Sequence, residues 1–334
     1  MSPMKSFYIQ WHLLNRCNLR CIHCYQEDFT SKDEVSFDEL KKIYNNLIKS
    51  MEILNSNLNV ALTGGEPFLF KDLFKLIEMI EKEKFVKKWS IITNGIFLSK
   101  FSKELKNFKK LNDIKVSMDG FSDKSNDLIR GDGSFKKIME GIEEAKAEKL
   151  KVILMFTAMK LNKKEIKNLV PFMKSNGLDG AIIERFIPLG NGFKIKENVL
   201  DFNDWKEICL EILKGMEIEV DLKELSPYKA FKIEWKGKDL DLAGSLCIVG
   251  KDGGALMPSG NFYPCRRLPI SQGNLKEKNL KEIFDESEFF EKLKERKNLG
   301  GRCGICGIDF CIGCRAYVYS LKGNPFLEDP ICFL

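Results

Sequence analysis

Residues 7–25 read FYIQWHLLNRCNLRCIHCY. The apolar run Phe7–Leu14 has the length and composition of a buried strand. It breaks at Asn15 into a loop that carries Cys17, Cys21 and Cys24. Three thiolates this close can bind three irons of a cubane cluster. The next cysteine is Cys209, so the fourth iron would stay free for an outside ligand, whereas four cysteines close a cluster built only to carry electrons. Zinc would want a fourth Cys or His, and His23 is spaced too tightly to serve. A strand that ends in such a loop has its chemistry at the C-terminal edge, where parallel α/β sheets keep their ligands.

Outward from that loop, short apolar runs alternate with helical patterns. Strands are expected at Phe7–Leu14, Leu58–Thr63, Trp89–Thr93, Asp113–Ser117, Val152–Ala158 and Ala181–Phe186. Ser36 and Glu39 form a capping-box pattern, followed by Leu40, Ile43, Tyr44, Leu47 and Ile48 at helical spacing. Leu73, Phe74, Ile77 and Ile80 repeat that spacing, as do Phe135, Ile138, Ile142 and Ala145, and Asn162 with Glu165 is expected to open another helix. Six strand-then-helix units imply an α/β fold with a parallel sheet, because parallel strands need crossover connections. The expected organisation is a main unit over residues 1–186, a bridging region over 187–246 and a small Gly- and Cys-rich domain over 247–334.

Composition narrows the function. The 334 residues carry 54 Lys and Arg against 48 Asp and Glu, a net charge of +6. The Lys-rich stretches Lys103–Lys110 and Lys276–Lys281 alternate with Glu and apolar residues, the pattern of solvated helix faces, so no nucleic-acid partner is expected. No apolar run reaches membrane-span length, and the start lacks a secretory signature, so a cytoplasmic protein without a membrane partner is expected. Eleven cysteines without an export signal point to metal rather than disulfides. Two histidines, His12 and His23, argue against imidazole-built metal sites.

The CxxxCxxC string after a first strand resembles the signature of radical S-adenosylmethionine (SAM) enzymes, and four further strings match the same superfamily in order. Thr63-Gly64-Gly65-Glu66-Pro67 resembles its GGEP motif, which implies that backbone and Glu66 meet the amino group of SAM. Thr93-Asn94-Gly95 ends the third strand. Val116-Ser117-Met118-Asp119-Gly120 resembles the strand whose serine contacts SAM. Arg130, in Ile129-Arg130-Gly131-Asp132-Gly133, resembles the arginine that holds the SAM carboxylate. Tyr25, directly after Cys24, joins this expected cofactor-binding set. Over residues 6–186 the resemblance implies a partial (β/α)6 TIM-like barrel. It also implies a 4Fe-4S cluster that gives one electron to SAM, yielding a 5′-deoxyadenosyl radical that abstracts a substrate hydrogen.

The C-terminal stretch holds seven more thiols: Cys247, Cys265, Cys303, Cys306, Cys311, Cys314 and Cys332. Seven exceed one tetrahedral zinc site, and the paired CxxC spacings are tighter than a zinc ribbon's. The arrangement resembles the SPASM extension of radical SAM enzymes, with Cys-x12-Gly-x4-Cys, a four-cysteine knot and a last cysteine. The resemblance implies two auxiliary 4Fe-4S clusters, three clusters in all. Cys247, Cys265 and Cys314 would hold the first auxiliary cluster, and Cys303, Cys306, Cys311 and Cys332 the second. The knot here is slightly shorter than the family's. Cys209, among Trp205, Ile208, Ile212 and Leu213 on a helical apolar face, reads as a buried structural thiol.

Enzymes of this double type act mostly on ribosomal peptides or proteins and sometimes on tetrapyrroles. The first expectation is therefore an oxidative peptide or protein maturase that cross-links, epimerises or decarboxylates. The second is a radical SAM enzyme for a tetrapyrrole or another small molecule. A non-catalytic multi-cluster electron carrier is the third, and it has no use for a SAM pocket at Gly64–Pro67 and Arg130. Expected partners are the substrate, a separate recognition protein (the barrel begins by residue 7) and a low-potential donor such as ferredoxin or flavodoxin. Sulfatase-maturing relatives carry an acidic residue where this chain has Arg266, which lowers that reading. Glu184 and Arg185, ending the sixth strand, and Arg266, beside a cluster cysteine, are the candidate catalytic residues. Arginines there suit substrate carboxylates, and a salt bridge within a barrel loop is an equally open reading.

Overall fold

A computed structural model describes residues 5–245 and 247–334. Six strands lie side by side and parallel: β1 (Lys5–His12), β2 (Ser56–Thr63), β3 (Val86–Thr93), β4 (Leu111–Ser117), β5 (Val152–Ala158) and β6 (Gly180–Arg185). Each overlaps one of the expected runs. Strand β5, VILMFTA, is buried everywhere except Thr157, because a parallel sheet is covered on its helical face and looks inward on the other.

The crossovers are α1 (Phe37–Ile53), α2 (Leu73–Lys82), α3 (Leu98–Leu105), α4 (Asp123–Arg130), α5 (Ser134–Ala147) and α6 (Leu169–Ser175). In α1 the capping box is complete: Glu39 N donates to Ser36 Oγ and Ser36 N to the Glu39 carboxylate. Asn162 behaves differently from the expectation. A 3-10 turn, Lys163–Asn168, precedes α6, because the Asn162 side chain is engaged elsewhere. It donates to the carbonyls of Asp119 and Thr157 and accepts from Met159 N, bracing the ends of β4 and β5.

The expected bridging region adds two strands to the sheet. After α7 (Phe202–Met216), β7 (Ala230–Lys236) pairs antiparallel with β6, and β8 (Asp239–Ser245) with β7. At the other edge β9 (Gly253–Leu256) lies parallel to β1, and β10 (Phe262–Tyr263) antiparallel to β9. The resulting order is β10-β9-β1-β2-β3-β4-β5-β6-β7-β8. β1 and β6 are not neighbours, so the barrel is partial, yet the sheet curls enough for one cavity to be lined from β1 through β7 and from β9. Cys209 is 1% exposed in the core under α7.

The C-terminal region is packed onto this frame. Asn46 Nδ2 donates to Leu275 O at 2.7 Å, and Leu280 N to Ser50 Oγ at 2.9 Å. The Tyr317 hydroxyl donates to Leu200 O at 2.6 Å. One apolar core runs from Phe7 to Ile331. Among the described residues no helix is long and apolar enough to cross a membrane.

Candidate active site

The cysteine loop leaves β1 at its C-terminal end and is gripped from three sides. Gly65 N donates to Leu14 O and Glu66 N to Arg16 O, both at 2.9 Å. A Cβ on Gly65 would stand 2.2 Å from Arg16 O, and one on Gly64, at φ +148°, 2.5 Å from Leu14 O. The glycine pair therefore seats the loop's own backbone as well as walling the cleft. On the second side Ile22 N donates to Ile129 O at 3.0 Å. On the third, Gly192 N donates to Cys24 O at 2.8 Å and Asn191 N to Gln26 O at 3.1 Å. Residues Gly190–Gly192 thus belong to the site, which the bridging-region reading missed. Their signal is a Gly-Asn-Gly triplet just past the sixth strand, where ligands of such sheets gather.

Cys17, Cys21 and Cys24 face a cleft of about 930 Å³. Of the expected cofactor-binding residues, Tyr25, Gly64, Gly65, Thr93, Asn94, Ser117 and Arg130 line it with them. Glu66, Pro67 and Asp119 are not among the residues that line it. The Glu66 carboxylate is fully buried. It accepts from Thr93 Oγ1 at 2.8 Å, Asn94 N at 2.9 Å and Phe68 N at 3.2 Å. Burial pushes it up to about 7 despite those donors. It is a strut from β2 to β3, holding Asn94, whose side chain donates to Asn18 Oδ1 at 2.8 Å. Pro67 opens the turn Pro67–Leu69. Asp119, also fully buried, lies 2.7 Å from Arg130 Nη2 and 3.3 Å from His23 Nε2, and accepts from Thr157 N. Burial opposes the Arg130 charge, but Asp119 and Cys21 more than offset it.

The residues fit an open-sited cluster with SAM. Burial raises all three thiols, Cys21 to about 12, so they stay protonated until a metal takes the sulfur and displaces the proton. Among the described residues no three His, Cys, Asp or Glu side chains converge on a single metal position, whereas a cubane takes its thiolates at separate corners. Arg130 Nε, buried and without a hydrogen-bond partner among the described residues, stands beside the cleft.

Across the cleft the wall is made by the C-terminal region. Arg266 Nη2 lies 2.8 Å and Arg267 Nη1 3.3 Å from Glu184 Oε2. Burial would raise Glu184, but the guanidiniums of Arg267 and Arg266 hold it below the usual carboxylate range. Behind this trio opens a chamber of about 1550 Å³ on which Cys247, Cys265 and Cys314 all border. Cys303, Cys306, Cys311 and Cys332 border a separate cavity of about 430 Å³. Two arginines that the sequence reading missed brace that knot. Arg296 donates to the carbonyls of Cys303, Ile308 and Cys311 and to Cys306 Sγ, and the fully buried Arg315 approaches Cys303 Sγ at 3.7 Å.

Arg185, the other candidate from the sixth strand, is placed on the opposite face. Neighbours on a strand point to opposite faces, so Glu184 looks into the cleft and Arg185 away from it. Arg185 is 3% exposed, stacks over Tyr317 at 4.8 Å and lies 3.6 Å from Asp329. Asp329 in turn accepts from Cys314 N at 2.7 Å, and its own N donates to Cys303 Sγ at 3.4 Å.

Residues 11–173 match the model of the radical SAM superfamily, and residues 247–307 that of the SPASM iron–sulfur cluster-binding domain. An AdoMet-dependent heme synthase of Methanosarcina barkeri is 26% identical over 339 residues, covering 97% of this chain and 95% of its own. A GTP 3′,8-cyclase of Thermodesulfovibrio yellowstonii is 30% identical over 303 residues, covering 86% and 88%. In fold, Streptococcus suis SuiB bound to precursor peptide SuiA superposes with a TM-score of 0.74 at 17% identity, over 99% of this chain and 76% of that one. The cysteine loop at the end of β1, the cleft across the strand ends and these matches together make the chain a radical SAM superfamily enzyme with a SPASM iron–sulfur domain.

Proposed function

We propose that this enzyme reductively cleaves SAM in the 930 Å³ cleft and oxidises a carboxylate-bearing small molecule of the tetrapyrrole class. The observation that carries the reading is a shared wall: Ile92, Met155, Glu184, Arg266 and Arg267 border both the cleft and the chamber beside Cys247, Cys265 and Cys314. Cys17, Cys21 and Cys24 would hold the first cluster, and Gly64, Gly65, Thr93, Asn94, Ser117, Arg130 and Tyr25 would surround SAM. The two groups of C-terminal cysteines would hold two auxiliary clusters, three 4Fe-4S clusters in all. When bound, SAM and the reduced cluster supply a 5′-deoxyadenosyl radical that takes a hydrogen atom from substrate.

The chain's own part is alignment and exclusion of water. Asp119 fixes Arg130 beside Cys21, Glu66 fixes Asn94, and the Glu184–Arg266–Arg267 trio holds the C-terminal wall over the strand ends. A net oxidation leaves one electron to dispose of, and Cys247, Cys265 and Cys314, which border the same chamber, would hold an auxiliary cluster able to take it. The relatives' names support a small molecule, heme in one and GTP in the other. A ribosomal peptide is the second reading, favoured by the unpaired edge strand β8, on which an extended peptide can add a strand.

The test is anaerobic reconstitution followed by reduction. The protein is expected to form 5′-deoxyadenosine, and replacing Cys17, Cys21 and Cys24 together with Ala should abolish it while auxiliary iron remains. Undiminished cleavage in the triple variant ends the assignment.

A further inference from the structure

The seven C-terminal cysteines fall into two groups that border separate cavities, and one buried carboxylate touches both groups. Asp329 is 1% exposed. Its Oδ2 accepts from Cys314 N at 2.7 Å, and its own N donates to Cys303 Sγ at 3.4 Å. Its Oδ1 accepts at 3.1 Å from the N of Ile331, the residue before Cys332. Two cations flank the carboxylate, Arg185 Nη2 at 3.6 Å and Lys229 Nζ at 3.9 Å. Among the described residues Lys229 alone borders both cavities. Arg296 and Arg315, in contrast, reach sulfurs of the second group, Cys306 and Cys303.

The sixth strand explains why the carboxylate stands there. Its last two residues point to opposite faces, and each holds one cysteine loop of the first group. Glu184 engages Arg266 and Arg267, which directly follow Cys265. Arg185 engages Asp329, which holds Cys314 N. On the adjoining strand, Lys229 precedes Ala230, the register partner of Glu184. The strand end that walls the cleft therefore also sets the seam between the two cysteine groups.

In a buried site of low dielectric a fixed charge acts over several ångströms. A carboxylate beside thiolate-held iron disfavours an added electron, whereas an ammonium or an N–H donated to the thiolate favours it. Asp329 brings its carboxylate to Cys314 and its N–H to Cys303, and Lys229 opposes the carboxylate. We propose that Asp329 and Lys229 are positioning residues shared by the two auxiliary sites. Asp329 fixes Cys314 against Cys303, and the opposed charges of the pair set the reduction potential of iron held by both groups. The inference rests on the auxiliary-cluster reading above.

The test is potentiometry followed by electron paramagnetic resonance. It uses the anaerobically reconstituted full chain carrying Cys17→Ala, Cys21→Ala and Cys24→Ala, so that only auxiliary iron reports. Asp329→Asn is expected to make auxiliary reduction about tenfold more favourable, about 59 mV for one electron. Lys229→Met should shift the midpoints by a similar amount in the opposite direction, and Lys229→Arg, which keeps the charge, should leave them in place. Unmoved midpoints in both Asp329→Asn and Lys229→Met overturn the proposal, as does a shift of the same sign in both. If Asp329→Asn loses its auxiliary iron, the Lys229 variants decide. Midpoints unmoved by Lys229→Met then leave Asp329 a structural tie and overturn the charge role. Stoichiometric zinc in place of about eight irons in the parent chain strikes the auxiliary-cluster reading, and the proposal with it. About eight irons with unmoved midpoints strikes the proposal alone.

Discussion

Glu184 Oε2 accepts from Arg266 Nη2 at 2.8 Å, so the end of the sixth barrel strand is tied to the residue beside Cys265. The link joins two regions some 80 residues apart in sequence (|i−j| = 82) and forms the wall between cleft and chamber. Removing the carboxylate leaves two largely buried guanidiniums unpaired. Glu184→Ala is expected to lower stability by about 3–5 kcal/mol, read as a fall in melting temperature. Arg266→Ala, which leaves Arg267 on Glu184, should cost less, about 1–3 kcal/mol. The guanidiniums hold Glu184 below the usual carboxylate range, so its contribution is present at neutral pH and is lost as acid passes through that lowered value. Equal costs for the two variants would contradict the shared-anion geometry.

Gly65→Ala drives a Cβ to 2.2 Å from Arg16 O, and backbone on both sides leaves little room to yield. The cysteine loop should lift from β2. Three cubanes mean about twelve irons per chain, and Gly65→Ala should fall to about eight as the first cluster alone is lost. Elemental analysis with stoichiometric zinc and about four irons in the wild type would refute the auxiliary clusters.

His12 and His23 are both buried, and burial lowers them to about 3 and about 4. Folded, they stay neutral at pH 5, while an unfolded histidine gains its proton near 6.5. Stability is therefore lost as pH falls below about 6.5. Among the described residues the His12 nitrogens have no hydrogen-bond partner, and its ring meets Tyr25 edge-on. His12→Phe should flatten the pH dependence of denaturant unfolding by about 1.4 kcal/mol per pH unit between about 6 and 5. Parallel curves for variant and wild type would rule this out.

Cys314 borders the chamber, and its backbone N–H is held by Asp329. Cys314→Ala is expected to retain 5′-deoxyadenosine formation yet give little modified product, because the substrate radical loses its electron acceptor. An early-quenched adduct or reduced substrate in the product mixture would support that role. Normal product yield would leave the C-terminal region structural.

Much of this protein follows from local pattern alone. Buried parallel strands read as apolar runs, and Ser36 and Glu39 close a cap across one helical turn. Cys17, Cys21 and Cys24 lie within eight residues of one another, so their proximity is local. The tertiary structure decided what side-chain direction controls. It turned Glu66 onto Thr93 and Asn94, and it sent Arg185 to Asp329 while Glu184 faced the cleft. It brought Gly190–Gly192 under the cysteine loop and drew β7 and β8 out of the expected bridge. It also separated Cys247, Cys265 and Cys314 from Cys303, Cys306, Cys311 and Cys332. A strand's side chains alternate with period two, so which neighbour faces inward depends on pairing register and on the curl of the whole sheet. Those are set by contacts between residues far apart in the chain.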